Sequence, residues 1–415
     1  MSNLTPSTSG LVRSFGFGDR LGLATPGHID AVKNTSFLPI FAQQSIRELK
    51  RTERQPRDVM DAAQKAIREA NWQKPWGADA DHLQTREDVN RMAAAGFTFF
   101  TIDPSEYVNN KADEMTQTEL EQACAEMIAK DQIIKDQAYD IYLGQKVQVD
   151  NDLTITFDDK LTLLRALVKY GAALDHTRKM FGWIETECAN RPFEVEMSVD
   201  ETETPTTPLE HLFIGLELKR LNIKLVSLAP RFIGDFEKGI DYKGDLSAFE
   251  KQYAQHVAIA KHCGPYKLSV HSGSDKFSIY PIVGRLSGDL LHVKTAGTSY
   301  LEALRVVCRT DKPLFREIIG FSRDRFTEDR ASYHISAKLQ HVPENISDAD
   351  LEQWYLENES GRQILHVTYG SVLTVGKASD GGLLKEKLIE NLLSNDALYR
   401  EVLYKHLGKH LSLLG

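Results

Sequence analysis

Two acids and a histidine follow a short apolar run in the segment WGADADHLQTRED, residues 76–88. Asp81 and His82 are neighbours there, and an imidazole beside a carboxylate suits a metal ligand next to a group that moves protons. The competing interpretation is a polar loop in which Asp81 caps the next helix and His82 is merely hydrogen-bonded. A second histidine, His271 in SVHSGSD, precedes a Gly/Ser turn whose amides can hold an anion. Together, the two segments favour a divalent metal site.

Further ionisable residues lie in or after apolar runs that are typical of strands. Glu196 lies in FEVEMSVDE, where a buried acid needs a partner: a metal, a proton to transfer or a structural ion pair. His292 in LLHVK and His366 in ILHVT are either metal ligands or buried, hydrogen-bonded residues. The residues predicted to bind a carboxylate or polyol substrate are Asp103, Arg231, Asp275, Lys276 and Lys294.

The elements that position these residues alternate between short apolar strands and amphipathic helices. Strands are expected at residues 39–43, 97–105, 193–201, 223–231, 266–275, 290–299 and 364–373, besides the one in the 76–88 segment. About eight strands with polar C-terminal ends favour an α/β fold of the (β/α)8 TIM-barrel type. No GxGxxG follows any of them, so a dinucleotide-binding sheet lacks its signature. The Gly-rich FGFGDRLGLATPGH fits no phosphate loop and is interpreted as a turn-rich entry to the barrel.

Three parts of the chain are expected. Residues 1–105 form the N-terminal part of the barrel, residues 106–187 a helical insertion with a small hairpin at 150–152, and residues 188–415 the remaining barrel and C-terminal helices. The insertion either covers the barrel mouth or is purely structural. The tail, 383–415, is predicted to pack on the scaffold or in a homo-oligomer interface. Histidines on helical stretches are predicted at the surface: His176, His256, His262, His406 and His410.

Composition limits the classes of partner. The net charge of -9, from 50 basic and 59 acidic residues, argues against nucleic acid. No run approaches about 18 apolar residues, so no membrane span is expected. The N-terminus lacks a signal-peptide pattern, and four widely spaced cysteines indicate reduced core thiols. A cytoplasmic protein is therefore predicted.

Long, idiosyncratic strings make the chain resemble the tagaturonate epimerase family of hexuronate catabolism. They include FGFGDRLGLATPGH, WGADADHLQT, EMSVDETETPT, KLSVHSGSDKFSIYP, HVKTAGTSYLEALR and HVTYGSVLT. The resemblance implies a divalent metal and inversion at C4 of a 2-keto hexuronate, D-tagaturonate to D-fructuronate. Because the C4 proton is not acidified by the C2 ketone, we expect a retro-aldol cleavage between C3 and C4, followed by re-addition.

That chemistry is similar to the metal-dependent class II aldolases, which also use a strand-end Asp-His pair and a later strand-end histidine. On this analogy Asp81 is the acid/base, Glu196 a second one, and His82 and His271 hold Zn, Mn, Ni or Co. Their remaining histidine falls near LAPRFIGDF, where this chain has Arg231. The third ligand is therefore assigned to His292, with Glu196 and His366 as alternatives. Three other functions stay open: an aldolase, a hydride-shift isomerase and a non-catalytic sugar-acid-binding barrel.

Overall fold

Eight parallel strands close into a barrel in the computed structural model, which describes residues 4–130 and 141–415. The barrel strands are β1 Ser14–Gly18, β2 Leu38–Ser45, β3 Gly77–Leu83, β4 Phe99–Ile102, β7 Glu194–Ser198, β8 Ser227–Ala229, β9 Lys267–Val270 and β10 Leu291–Thr295. The strand β1 pairs with both β2 and β10, and this double pairing closes the ring. The ring order is β1-β10-β9-β8-β7-β4-β3-β2, so the α/β (β/α)8 prediction is confirmed.

Helices surround the barrel, and most begin with the side-chain caps expected from their sequence. The Thr85 hydroxyl, for example, accepts a hydrogen bond from the backbone N–H of Asp88, and the Asp88 carboxylate accepts one from the backbone N–H of Thr85. This pair of bonds starts the next helix shortly after β3. The described α-helices are α1 Thr25–Val32, α2 Ile46–Thr52, α3 Pro56–Glu69, α4 Arg86–Ala94, α5 Gln117–Ala129, α6 Lys160–Glu187, α7 Pro208–Arg220, α8 Leu246–Cys263, α9 Tyr280–Ser287, α10 Thr298–Thr310, α11 Lys312–Asp329, α12 Glu359–Val367, α13 Tyr369–Thr374, α14 Leu384–Ser394 and α15 Asp396–Leu414.

Two sequence predictions about the strands are wrong. The supposed turn-rich entry contains β1, whose Gly18 backbone lies so close to β10 that an added Cβ would be 2.6 Å from the Ala296 carbonyl oxygen. Glycine here permits barrel closure instead of marking a turn. The predicted last strand, 364–373, is helical and spans parts of α12 and α13. Its residues are almost all buried, and a short buried helix has the same apolar run as a strand.

In the described part of the long β4-to-β7 connection, residues 103–130 and 141–193, the structure has the helices α5 and α6 and a hairpin. The predicted hairpin is confirmed: β5 Lys146–Gln148 pairs antiparallel with β6 Thr154–Thr156. The helix α6 runs for 28 residues and packs against α4, α5 and α7. The division of the chain at residues 106 and 187 stays a prediction.

The C-terminal tail is helical and packs on the barrel scaffold. The helix α15 contacts α1, α9 and α10, and a homo-oligomer interface stays a prediction. Three helical histidines predicted at the surface are buried instead: His176, His256 and His410. Each faces the protein interior, where His256 Nδ1 bonds to His211 and His410 Nε2 accepts from the Asp275 backbone. Within the described ranges, no helix is long and apolar enough to span a membrane.

Candidate active site

A cavity of about 500 Å³ opens at the C-terminal ends of the barrel strands. It is lined by residues from β2, β3 and β10, by loops after β1, β4, β7 and β9, and by α12 and α13. Asp81, His82, Asp103, His271 and Lys294 all contribute to its wall. Sequence-predicted residues from four separate strand ends therefore meet in one cavity, as the barrel geometry requires.

Asp81 and His82 both reach this cavity because β3 is irregular where they lie. In a regular strand, neighbouring side chains point to opposite faces of the sheet. Here the register with β4 shifts between Ala80 and Leu83, and His82 has a φ of 52°. A bulge with a left-handed residue re-aims a side chain at the cost of local strain.

Carboxylates hold the rings of His82 and His271, and His271 is also contacted at its second ring nitrogen by Glu196. His82 Nδ1 lies 3.3 Å from Asp103 Oδ2, and His271 Nδ1 lies 3.1 Å from Asp200 Oδ1. The other ring nitrogen of His82 lies 3.8 Å from Asp81 Oδ1. In metal sites, this second bond orients the imidazole and fixes which nitrogen is offered to the ion.

One atom each from Asp81, His82 and His271 lies within 4.8 Å of the other two. The rings of the two histidines are 5.2 Å apart and nearly perpendicular. A carboxylate and two imidazoles form a donor set that Zn, Mn, Co and Ni all accept. Two imidazoles with a carboxylate beside them in an open cavity leave positions for substrate, so these residues fit a catalytic metal with an adjacent base.

Lys294 lies among carboxylates at the floor of the cavity. Its Nζ atom is 2.8 Å from Asp79, 2.7 Å from Asp81 and 2.9 Å from Glu196. Glu196 is fully buried, and its Oε1 also lies 2.7 Å from His271 Nε2. The lysine charge is thus balanced by protein carboxylates and does not stand free for a substrate anion.

Burial and neighbouring charges of both signs shift the pKa values of this cluster. Burial opposes the ionisation of Asp81, but Lys294 and the two histidines outweigh it and lower the pKa of Asp81 to about 2. Burial raises the pKa of Asp79 to about 7. Burial also disfavours protonation of His271, yet Asp200 and Glu196 raise its pKa to about 9. The surrounding carboxylates therefore favour positive charge at the imidazoles, where a cation would bind.

A family model for tagaturonate epimerase matches residues 1–414 of this chain. The chain belongs to the tagaturonate epimerase family. It is therefore an enzyme of the isomerase class, an epimerase.

Individual relatives of known name agree with this family. The chain is 46% identical over 414 residues to the tagaturonate/fructuronate epimerase of Thermotoga maritima, covering 99% of this chain and 82% of that protein. Two crystal structures of fructuronate-tagaturonate epimerase from Cohnella laeviribosi, one with a glycerol bound and one native, each superpose with a TM-score of 0.93 at 39% identity. Both alignments cover 99% of this chain and 83% of the other chain.

Some residues predicted for the site lie elsewhere in this family member. His292 is fully buried, and its Nδ1 bonds to the Ser14 hydroxyl near the start of β1, so it lies outside the Asp81–His82–His271 group. Lys276 donates to three backbone carbonyls, and this makes it a structural residue. Arg231 lies in a neighbouring cavity of about 420 Å³ that shares His271 with the first.

Asp275 belongs to a second cluster with His406 and His410, whose donor atoms also lie within 4.8 Å of one another. Here the guanidinium of Arg362 lies 2.7 Å from the carboxylate, and His406 Nε2 lies 2.5 Å from it. The charge of Asp275 is therefore already balanced by protein cations. The cluster ties the loop after His271 to α12 and α15.

Sequence reasoning missed Arg20. It follows β1 and lines the cavity, but it lies in the segment that was interpreted as a turn. Tyr369 and His366 were expected together at a strand end, and both reach the cavity, but from the helices α13 and α12. Recognition of β1 as a strand would have placed Arg20 at its C-terminal end, where functional residues are expected.

Proposed function

We propose that this epimerase interconverts D-tagaturonate and D-fructuronate at a divalent metal site, by breaking and remaking the C3–C4 bond. The observation that carries the proposal is the Asp81–His82–His271 group beside a cavity large enough for a six-carbon acid. The names of the family and of its relatives support the substrate pair.

His82 and His271 would hold the cation, in this proposal, with Asp103 and Asp200 fixing the orientation of their rings. When bound, a divalent cation polarises the substrate ketone and stabilises the negative charge that develops as the C3–C4 bond breaks. Zn, Mn, Ni and Co all suit the donor set. In this proposal His292 is not a ligand, because its Nδ1 bonds to Ser14 and it lies outside the Asp81–His82–His271 group.

Asp81 is the base that takes the proton from the C4 hydroxyl. Lys294, 2.7 Å away, keeps it ionised. As the O–H electrons form the C4 aldehyde, the electron pair of the C3–C4 bond moves toward the ketone oxygen. The aldehyde then turns its other face to C3, the bond re-forms and a proton returns to O4.

Glu196 receives a positioning role in place of the predicted acid/base role. It is fully buried behind Lys294 and His271, and it bonds to both. Lys294 lines the cavity and bridges Asp81 and Glu196, so Glu196 holds in place the ammonium group that keeps Asp81 ionised. The proton that Asp81 takes up is then the one it returns to O4.

Product analysis tests this proposal against its alternatives. Incubation with D-tagaturonate should yield D-fructuronate with all six carbons retained, and a chelator should abolish the conversion until metal is restored. Release of free three-carbon fragments would instead identify an aldolase. Formation of an aldose would identify a hydride-shift isomerase, and no conversion would leave a binding protein.

A further inference from the structure

One part of the cavity wall, formed by the loop after β1, by β2 and by the helices α12 and α13, differs in chemistry from the acidic cluster. Four buried side chains on it carry polar atoms without a hydrogen-bond partner among residues 4–130 and 141–415. These atoms are Arg20 Nη1, both amide atoms of Gln43, His366 Nδ1 and the Tyr369 hydroxyl. Buried polar groups are rarely left unpaired, and several on one cavity wall indicate a ligand subsite.

Arg20 is held rigidly with one edge free. Its Nε lies 2.8 Å from Glu48 Oε1, and its guanidinium carbon lies 3.5 Å from the ring centre of Tyr369. Glu48 therefore occupies one donor, and stacking on Tyr369 fixes the plane. A planar guanidinium with free donors is the side chain best shaped to bind a carboxylate through two parallel hydrogen bonds.

Two other cations of the cavity are paired with acids. Arg47 lies 3.1 Å from Glu201, and Lys294 is surrounded by three carboxylates. Arg20 also pairs with an acid, but Glu48 contacts it through Nε, and Lys238, which donates to Ser272, adds a further positive charge to this wall. Burial, together with Arg20 and Lys238, keeps the pKa of His366 well below its usual value, so His366 is a neutral hydrogen-bonding group here.

Barrel topology brings both sets of residues to one cavity. In the ring order, β1 lies two strands from β3 and two strands from β9, and these strands lead to Asp81, His82 and His271. Arg20 follows β1, and it lines the same cavity of about 500 Å³ as those residues. A substrate that places its ketone and hydroxyls against the acidic cluster can therefore reach Arg20 with its far end.

We propose that Arg20 binds the C6 carboxylate of the hexuronate, with Tyr369 and His366 completing the subsite. This inference rests on the proposed function and deepens it. Arg20 is then the residue that selects sugar acids over neutral hexuloses, which carry a hydroxymethyl group at this position. Gln43 lies on the adjacent strand β2 and is available to the C5 hydroxyl.

Arg20→Lys is the sharpest test, because lysine keeps the charge that pairs with Glu48 but removes the planar fork. Calorimetry on the full-length protein as purified would compare D-gluconate, a six-carbon acid without a ketone, with D-glucitol, its neutral counterpart. We expect gluconate binding to weaken by roughly tenfold or more and glucitol binding to stay unchanged. The KM for D-tagaturonate should rise by a similar factor, with a smaller change in kcat.

Arg54→Lys is the matched control, since Arg54 donates to the carbonyl of Asp19, next to Arg20, and does not line the cavity. Its gluconate affinity should equal that of the wild type.

Tyr369→Phe keeps the ring beneath Arg20 and removes only the hydroxyl, so it provides a second test if Arg20→Lys fails to fold. We expect gluconate binding to Tyr369→Phe to weaken several-fold.

The outcomes separate this inference from the proposed function. Suppose that the wild type does not epimerise tagaturonate but binds gluconate, and that Arg20→Lys binds gluconate more weakly. The proposed function is then wrong and the subsite stands. If tagaturonate is epimerised and the folded Arg20→Lys and Tyr369→Phe variants keep wild-type gluconate affinity and KM, the subsite is wrong and the function stands. Equal loss of gluconate and glucitol binding would also overturn the subsite.

Discussion

His82 Nδ1 lies 3.3 Å from Asp103 Oδ2, and Asp103 in turn accepts hydrogen bonds from Gln84 and Ser105. The carboxylate is thus fixed before any ligand binds, and it fixes the imidazole. Asp103 was predicted to bind substrate, whereas its contacts indicate that it orients His82 toward the Asp81 side of the cavity.

Replacement of Asp103 by Asn should therefore weaken metal binding without removing a ligand. Partners of this kind contribute about tenfold to 100-fold in metal affinity. Titration with Mn²⁺ or Zn²⁺ against a competing chelator would measure the change. Asp245→Asn, at the exposed N-cap of α8, is the control and should leave the affinity unchanged.

Metal content should separate the three histidines that the sequence nominated as ligands. His82→Ala and His271→Ala should each lose bound metal and epimerase activity together, because each removes a donor from the group. His292→Gln should keep its metal, since His292 bonds to Ser14 and lies outside that group. Elemental analysis of the purified variants checks this; a metal-free His292→Gln that remains folded would restore His292 as a ligand.

Asp81→Asn tests the proton-transfer role. The amide keeps an oxygen and the shape of the side chain but cannot accept the C4 hydroxyl proton. We expect bound metal to stay near the wild-type level and kcat to fall by roughly 10²–10⁴-fold, the usual contribution of a general base. Loss of metal from this variant would place Asp81 among the ligands, and full activity would remove it from the mechanism.

Much of the site's chemistry was predictable from residue types at strand ends. Polar residues after parallel strands converge at one end of a barrel, which is why Asp81, His82 and His271 were expected together. The pairing of charges was not predictable, because Lys294 meets Asp81 across 213 residues of sequence. Arg20 was missed because glycine-rich β1 resembles a turn, and Tyr369 was assigned to a strand because the buried helix α13 has the apolar run of one.

Stability should fall as the solution is acidified, in part because of His28. This side chain is fully buried, its Nε2 bonds to Ser299 Oγ, and burial lowers its pKa to about 4 from 6.5. Between these values the unfolded chain binds more protons than the folded one, so the stabilisation present above pH 6.5 is lost as pH falls toward 4. One such group lowers the free energy of unfolding by about 2 kcal/mol between pH 7 and pH 5.

Urea unfolding of the wild type and His28→Gln at both pH values would isolate this effect from that of other groups. The difference in the free energy of unfolding between pH 7 and 5 should be smaller in the variant by about the stated amount. Equal pH dependence in the two proteins would show that His28 is not the group responsible.

The central claim, inversion at C4 by carbon–carbon cleavage, is tested most directly by the fate of the C4 hydrogen. Metal-loaded protein would convert D-tagaturonate in D₂O, and proton NMR would measure deuterium in the D-fructuronate formed. Because the proposed base removes only the hydroxyl proton, the account predicts no deuterium at C4. Deuterium at C4 would show that the C–H bond itself is broken, and it would contradict the account.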